Sequence, residues 1–158
     1  MELPELAWPA VAALPKTTPV VFPIAALEQH GKHMPVFTDS LLLGLTYWDA
    51  AGNPSATMPN LVQKRMGHAC EWETSMVLRL NPKLVVGDVT KVPEIPHGKA
   101  LEPGHRAWVM PDRSEPGHIG TPAAASAEKG EGLFAHFAGG VSAYLERVAA
   151  WNGREWDA

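Results

Sequence analysis

The apolar positions of this chain fall into three patterns. The run Pro19-Val20-Val21-Phe22-Pro23-Ile24 is continuous, rich in β-branched residues and closed by prolines. It predicts a short strand buried on both faces, as in a parallel sheet. From Cys70 to Leu80 the spacing is helical: Met76, Val77 and Leu80 share a face, Glu71 and Glu73 fall in or near the first turn, and Asn81-Pro82 ends the run. First-turn carboxylates suit the helix dipole, and the residue before a proline resists the α conformation. Further on, Leu133, Phe134, Phe137, Val141, Tyr144, Leu145 and Val148 recur at three- and four-residue spacing. They predict a long amphipathic helix, roughly Pro122 to Ala150, with Thr121 as its cap and Pro122 at its first position.

The remaining stretches carry weaker patterns. Residues 1–16 read as a lead-in, where Leu3, Leu6, Val11 and Leu14 could line a helix but Pro4, Pro9 and Pro15 interrupt it. Ser40-Leu41-Leu42-Leu43 starts like a helix, meets Gly44, and passes into Leu45-Thr46-Tyr47-Trp48-Asp49, which resembles a strand end. One helical turn is too short to cross back over a sheet, so this junction is uncomfortable. Ala50 to Met66 reads as loop, Lys83 to Val92 as a strand around Leu84-Val85-Val86, Pro93 to Pro116 as loop, and Asn152 to Ala158 as a fraying tail.

Composition narrows the class. A chain of 158 residues with 46% apolar and 19% charged residues suits one globular domain. The net charge of −4 gives no footprint for nucleic acid or anionic lipid. No apolar run approaches the ~20 residues of a membrane helix, and the N-terminus lacks the charged and apolar regions of a signal peptide. A single cysteine, Cys70, excludes an internal disulfide framework and suits a reducing compartment. A cytoplasmic protein is the expectation.

Chemistry concentrates between Glu28 and Asp39, where Glu28, His30, His33 and Asp39 follow the predicted strand. Open α/β sheets place their sites at such strand ends. Carboxylate and imidazole donors suit Zn²⁺, Mn²⁺ or Fe²⁺. In an extended segment Glu28 and His30 point to one side, and a turn could return Asp39 to them. Taken alone, the cluster reads more readily as a polar loop with helix-capping residues, because such clusters are common on surfaces. His68 falls near the start of the second helix, pointing into a cleft, and Glu73 follows five residues later. Their plainer readings are a loop histidine and a dipole-complementing carboxylate. Trp48 reads by itself as a core aromatic, His136 as a helix-face residue, and His97, His105 and His118 as loop histidines. Cys70 beside Glu71 is a poor candidate nucleophile.

Three stretches together carry a resemblance. Pro23-Ile24-Ala25-Ala26-Leu27-Glu28-Gln29-His30-Gly31-Lys32-His33-Met34 with Thr38-Asp39 resembles the metal-binding opening motif of the creatininase (creatinine amidohydrolase) family. Gly67-His68-Ala69-Cys70-Glu71-Trp72-Glu73-Thr74-Ser75 resembles its second motif, and Gly120-Thr121 through Ala125 to Glu131 its C-terminal helix entry. The resemblance implies a three-layer α/β/α fold with a mostly parallel sheet. It also implies one or two divalent ions and metal-dependent hydrolysis of a C–N amide bond in a small cyclic or linear amide. By position it makes Glu28 and His30 metal ligands, Asp39 a bridging ligand and Glu73 a ligand or its support. It makes His68 the acid/base group, and Trp48 a residue packing near the substrate. The expected partners are a small-molecule amide and further copies of the chain in a homo-oligomer, with no nucleic acid and no membrane.

The chain also departs from the family. Family members carry several strands and helices between the first motif and Tyr47-Trp48-Asp49, including an Asn-Gly-His segment that supplies another metal ligand. Here Leu43-Gly44 leads almost directly into Leu45. Residues 1–158 are therefore expected to form a single domain, internally truncated near 44–46 and lacking central strands. Cys70 replaces the family's glycine, and Lys64-Arg65-Met66 lacks a tryptophan found before the second motif, so creatinine itself is not the expected substrate. The alternative is a catalytically impaired remnant that at most binds metal or self-associates.

Overall fold

The computed structural model describes residues 8–15, 18, 29–35, 47–98 and 110–152. The predicted strand Pro19–Ile24, the Ser40–Leu43 segment, His105, and the candidate ligands Glu28 and Asp39 lie outside these residues.

Two helices form the centre. In α3 (Glu71–Leu80), Cys70 is the extended N-cap, and its N–H donates to Glu73 Oε2 at 3.3 Å. A first-turn carboxylate thus satisfies an otherwise orphaned amide. Every residue from Glu71 to Val77 is buried, so α3 is covered on more than its apolar face. The predicted face holds for Met76 and Val77, whereas Leu80 is partly exposed at the end. On α5 (Ala127–Ala150), Leu133 and Phe137 are buried, as the spacing predicted. The helix starts later than expected. Ser126 caps it by accepting from Lys129 N at 3.2 Å, while Thr121 precedes a separate 3₁₀ turn, Pro122–Ala124. The Thr121 side chain makes no cap bond; its amide donates to Gln63 Oε1 at 3.1 Å. Pro122 and the extended Ala125 break what the sequence presents as one helical run.

α3 and α5 approach closely because Gly130 has no side chain: a Cβ there would sit 2.1 Å from Ser75 O. Trp72, Leu61 and Met76 fill the space between these helices and their neighbours. α1 (Trp8–Ala12) and α4 (Met110–Arg113) are single turns.

Two sequence expectations fail here. Tyr47–Ala51, part of which resembles a strand end, is helix α2. Tyr47 is buried, with its ring edge-on to Phe137 at 4.8 Å, and Ala51 meets Gly140, where a Cβ would lie 2.3 Å from Ala51 Cα. Packing against α5 overrides the strand preference of the aromatic pair. The loop expected over Ala50–Met66 then contains a 3₁₀ turn, Pro54–Ala56, capped by Asn53. Lys83–Val92 is likewise no strand. It comprises 3₁₀ turns at Pro82–Leu84 and Val89–Lys91, the second capped by Asp88. Val86 projects outward at 66% exposure, although its amide donates to His33 O at 2.8 Å. Among the described residues, extended pairing is limited to three isolated antiparallel bridges, His30–Met34, His68–Ile119 and Ile95–Gly120.

Candidate metal and amide-hydrolysis site

The site is assembled where the His30–Met34 turn meets the N-terminus of α3. Gly31 makes that turn at φ +67°, a conformation glycine adopts without strain. Gln29 Oε1 accepts from Gly31 N at 2.9 Å and holds the turn closed. The turn buries His30 and His33. His68 approaches from the second motif, fixed by paired backbone bonds with Ile119 of 3.0 and 2.8 Å. Gly67 permits this crossing, since a Cβ would lie 2.1 Å from Ile119 O. Ala69 follows at φ +48°, an unusual conformation for a residue with a Cβ. It turns the chain so that Cys70 can cap α3.

Three of the sequence-selected residues meet here. His30 Nε2 lies 3.6 Å from Glu73 Oε1. The His30 and His68 rings are 4.4 Å apart and inclined by 34°. Burial opposes the charge on Glu73. Its pairing with His30, the His68 imidazole and the Cys70 amide outweigh that and hold its carboxyl below the ordinary range. Glu73 is thus a capping carboxylate that also lies against the two imidazoles. His68 Nε2 lies 2.7 Å from Gln29 O. A carbonyl only accepts, so Nε2 carries a proton, and in the neutral ring the lone pair is at Nδ1.

The arrangement can be tested against a divalent ion. Two donors bound at about 2.0–2.2 Å to one tetrahedral ion lie about 3.4 Å apart. The 3.6 Å between His30 and Glu73 is close to that separation and too long for a strong hydrogen bond. These two donors fit a shared ion. Among the described residues, no group of three or more His, Cys, Asp or Glu could hold one, and Glu28 and Asp39 lie outside them.

Trp48 sits on α2 with 38% exposure, its ring edge-on to Tyr47 at 4.7 Å. Among the described residues, the fully buried tryptophan is Trp72, whose indole N–H donates to Gln63 O at 3.3 Å. Cys70 is buried, and burial followed by the Glu73 charge pushes its thiol up to about 12. It is the N-cap residue of α3. His136 lies on α5 and donates to Gly52 O at 3.1 Å.

Three groups take supporting roles that sequence reasoning did not foresee. His33 Nε2 lies 3.1 Å from Ala69 O and 3.3 Å from Thr74 Oγ1, tying the turn to the α3 N-terminus. Burial pushes its imidazole down to about 4. His118, read as a loop histidine, is buried, packs edge-on to His33 at 5.7 Å and donates to Pro93 O at 2.7 Å. Glu71 is fully buried beside Lys129. Nothing local marks these partners, because Ala69, Pro93 and Lys129 are far away in sequence.

Comparison with known proteins completes the picture. The chain aligns in space with a mutant creatininase complexed with creatine at 19% identity and TM-score 0.71, covering 91% of this chain and 96% of that one. It aligns with a structure described as creatininase Mn at 19% identity and TM-score 0.70, with the same coverages. The crystal structure of a creatinine amidohydrolase matches at 19% identity and TM-score 0.71, covering 92% and 96%. That likeness defines the class: the α/β fold of those structures, with few strands among the residues described here. The Creatininase family (creatinine amidohydrolase) matches residues 4–44 and 41–145, and the chain belongs to this family. The two matched segments meet at residues 41–44, next to the junction where the sequence lacks a central segment. No curated protein matches the chain.

Proposed function

We propose that this protein is a metal-dependent amidohydrolase that cleaves a C–N bond in a small cyclic or linear amide. The observation that carries this reading is the convergence of buried His30 and Glu73 with half-buried His68 within a creatininase-family chain. His30 and Glu73 would hold a divalent ion, Zn, Mn or Fe, with Glu28 and Asp39 of the opening motif as further ligands. When bound, such an ion supplies Lewis acidity toward a carbonyl oxygen. The chain's own residues do the rest. Gln29 O fixes the His68 ring, leaving Nδ1 to take a proton from water and return it to the leaving nitrogen. Glu73, its carboxyl held below the ordinary range, lies beside the imidazoles during that transfer. Structures of creatininase with creatine and with Mn support this class of substrate and metal.

A second reading is a catalytically impaired remnant. It is favoured by the two family segments, which overlap at 41–44. Metal analysis of the purified full chain, with thermal melts in added Zn²⁺ or Mn²⁺ and an assay of amide hydrolysis, separates the two. Retained metal near ~0.5 equivalent or more, with metal-dependent stabilisation and turnover, supports the enzyme. No retained metal and an unchanged melt would sink it.

A further inference from the structure

A cleft of about 300 Å³ opens between Val62–Arg65 on one side and Glu94 and His97 on the other. Its floor is Gln63 and Thr121, locked by the Thr121 amide on Gln63 Oε1. Neither His30, His68 nor Glu73 lines it, so it is separate from the site described above. This volume is at the lower end for small-molecule sites.

The cleft carries positive charge in a chain of net charge −4. Lys64 is anchored by Leu61 O at 2.6 Å. Arg65 makes one long contact, Nη2 to Gly98 O at 3.4 Å. Its other guanidinium N–H groups have no protein acceptor among the described residues, so a planar fork of donors stays uncommitted. Arg113 reaches the same wall, donating to His97 O at 2.9 Å. Burial, then Arg65, lower the basicity of His97, and its Nε2 donates to Met66 O at 3.2 Å. Glu94 is the carboxylate among the lining residues. Val62, 59% exposed, adds an apolar wall.

We propose that this cleft binds a small organic carboxylate, with Arg65 taking the carboxylate and Val62 packing against a short apolar body. Arginine pairs with carboxylates through two parallel hydrogen bonds. Glu94 opposes a dianion, which favours a singly charged carboxylate over phosphate. The inference is independent of the hydrolase reading.

Titration of the ¹⁵N-labelled full chain with butanoate, its neutral isostere butanamide and inorganic phosphate tests it. The expected result is saturable shifts of the Thr121 and Gly98 amide signals with butanoate in the millimolar range. Butanamide should bind about tenfold more weakly, Arg65→Gln should weaken butanoate binding about tenfold, and Glu94→Gln should strengthen it about threefold. Arg65 and Glu94 are both exposed, so these variants keep the fold. Absence of saturable shifts, equal binding of butanamide, phosphate binding tighter than butanoate, or an unchanged affinity in Arg65→Gln would each overturn the proposal.

Discussion

Removing the Lys129 cation should expose how firmly the α3 N-terminus depends on one buried ion pair. Glu71 is fully buried. Its oxygens accept from Lys129 Nζ at 2.5 Å, Gln63 N at 2.6 Å and Val62 N at 3.2 Å. Lys129 also donates to Ala124 O at 2.7 Å. The pair therefore joins α3, the 62–63 loop and the entry to α5. Deleting one partner of a buried pair costs about 3–5 kcal/mol, because the other charge is left in a medium that solvates it poorly. Glu71 would keep two amide donors in Lys129→Met, so the lower end, about 3 kcal/mol, is expected. Glu71→Gln should cost about 2–3 kcal/mol, because the Lys129 side chain retains 14% exposure and can reach water. The double variant leaves no uncompensated charge, so its loss should fall about 2 kcal/mol short of the summed single losses. Urea unfolding followed by circular dichroism at pH 7 provides the assay, with midpoints compared at constant slope. For a chain of this size, about 3 kcal/mol corresponds to a melting-point drop of roughly 6–12 °C. Strictly additive losses, or a Lys129→Met loss below about 1 kcal/mol, would refute the reasoning.

Other outcomes follow from the same geometry. The His33 imidazole is pushed down to about 4 in the folded state from 6.5, so between those values the unfolded chain binds more protons. Stability should thus be complete above about pH 6.5 and fall as pH drops toward 4, by up to about 3 kcal/mol; urea midpoints at pH 7.5 and 5 check the sign. The lowered carboxyl of Glu73 acts in the same direction at still lower pH, through protonation of a carboxylate stabilised in the fold. Two glycines on α5 should respond oppositely to alanine. Gly139 has nothing within 4 Å of a Cβ, so Gly139→Ala should stabilise by about 0.5–1 kcal/mol, whereas Gly130→Ala drives a methyl into Ser75 O and should destabilise by about 2 kcal/mol. Thermal melts of the two variants decide this. If the chain hydrolyses amides as proposed, His68→Asn should lower turnover about 10²–10⁴-fold with unchanged metal content. A variant with wild-type turnover would remove His68 from the mechanism.

The sequence by itself determined much of the framework. The helical spacing of Leu133 and Phe137 was legible because an amphipathic helix must repeat its buried residues every three or four positions. The limit of α3 was legible too, because Asn81-Pro82 opposes helix continuation by local sterics. The ordered motifs around His30, His68 and Glu73 pointed to the family before any contact was visible. The tertiary structure decided the rest. Tyr47 joins a helix because Phe137 offers its ring a packing surface and Gly140 lets Ala51 approach, and Val86 lies outward because its segment folds into 3₁₀ turns instead of pairing in a sheet. His33, His118 and the Glu71–Lys129 pair become structural fixtures through partners 25 to 58 residues away. Residue type announces which donors and charges a chain carries. Only the fold decides which of them share a desolvated space, because that depends on long-range approach, and here it is the small residues Gly31, Gly67 and Gly130 that allow it.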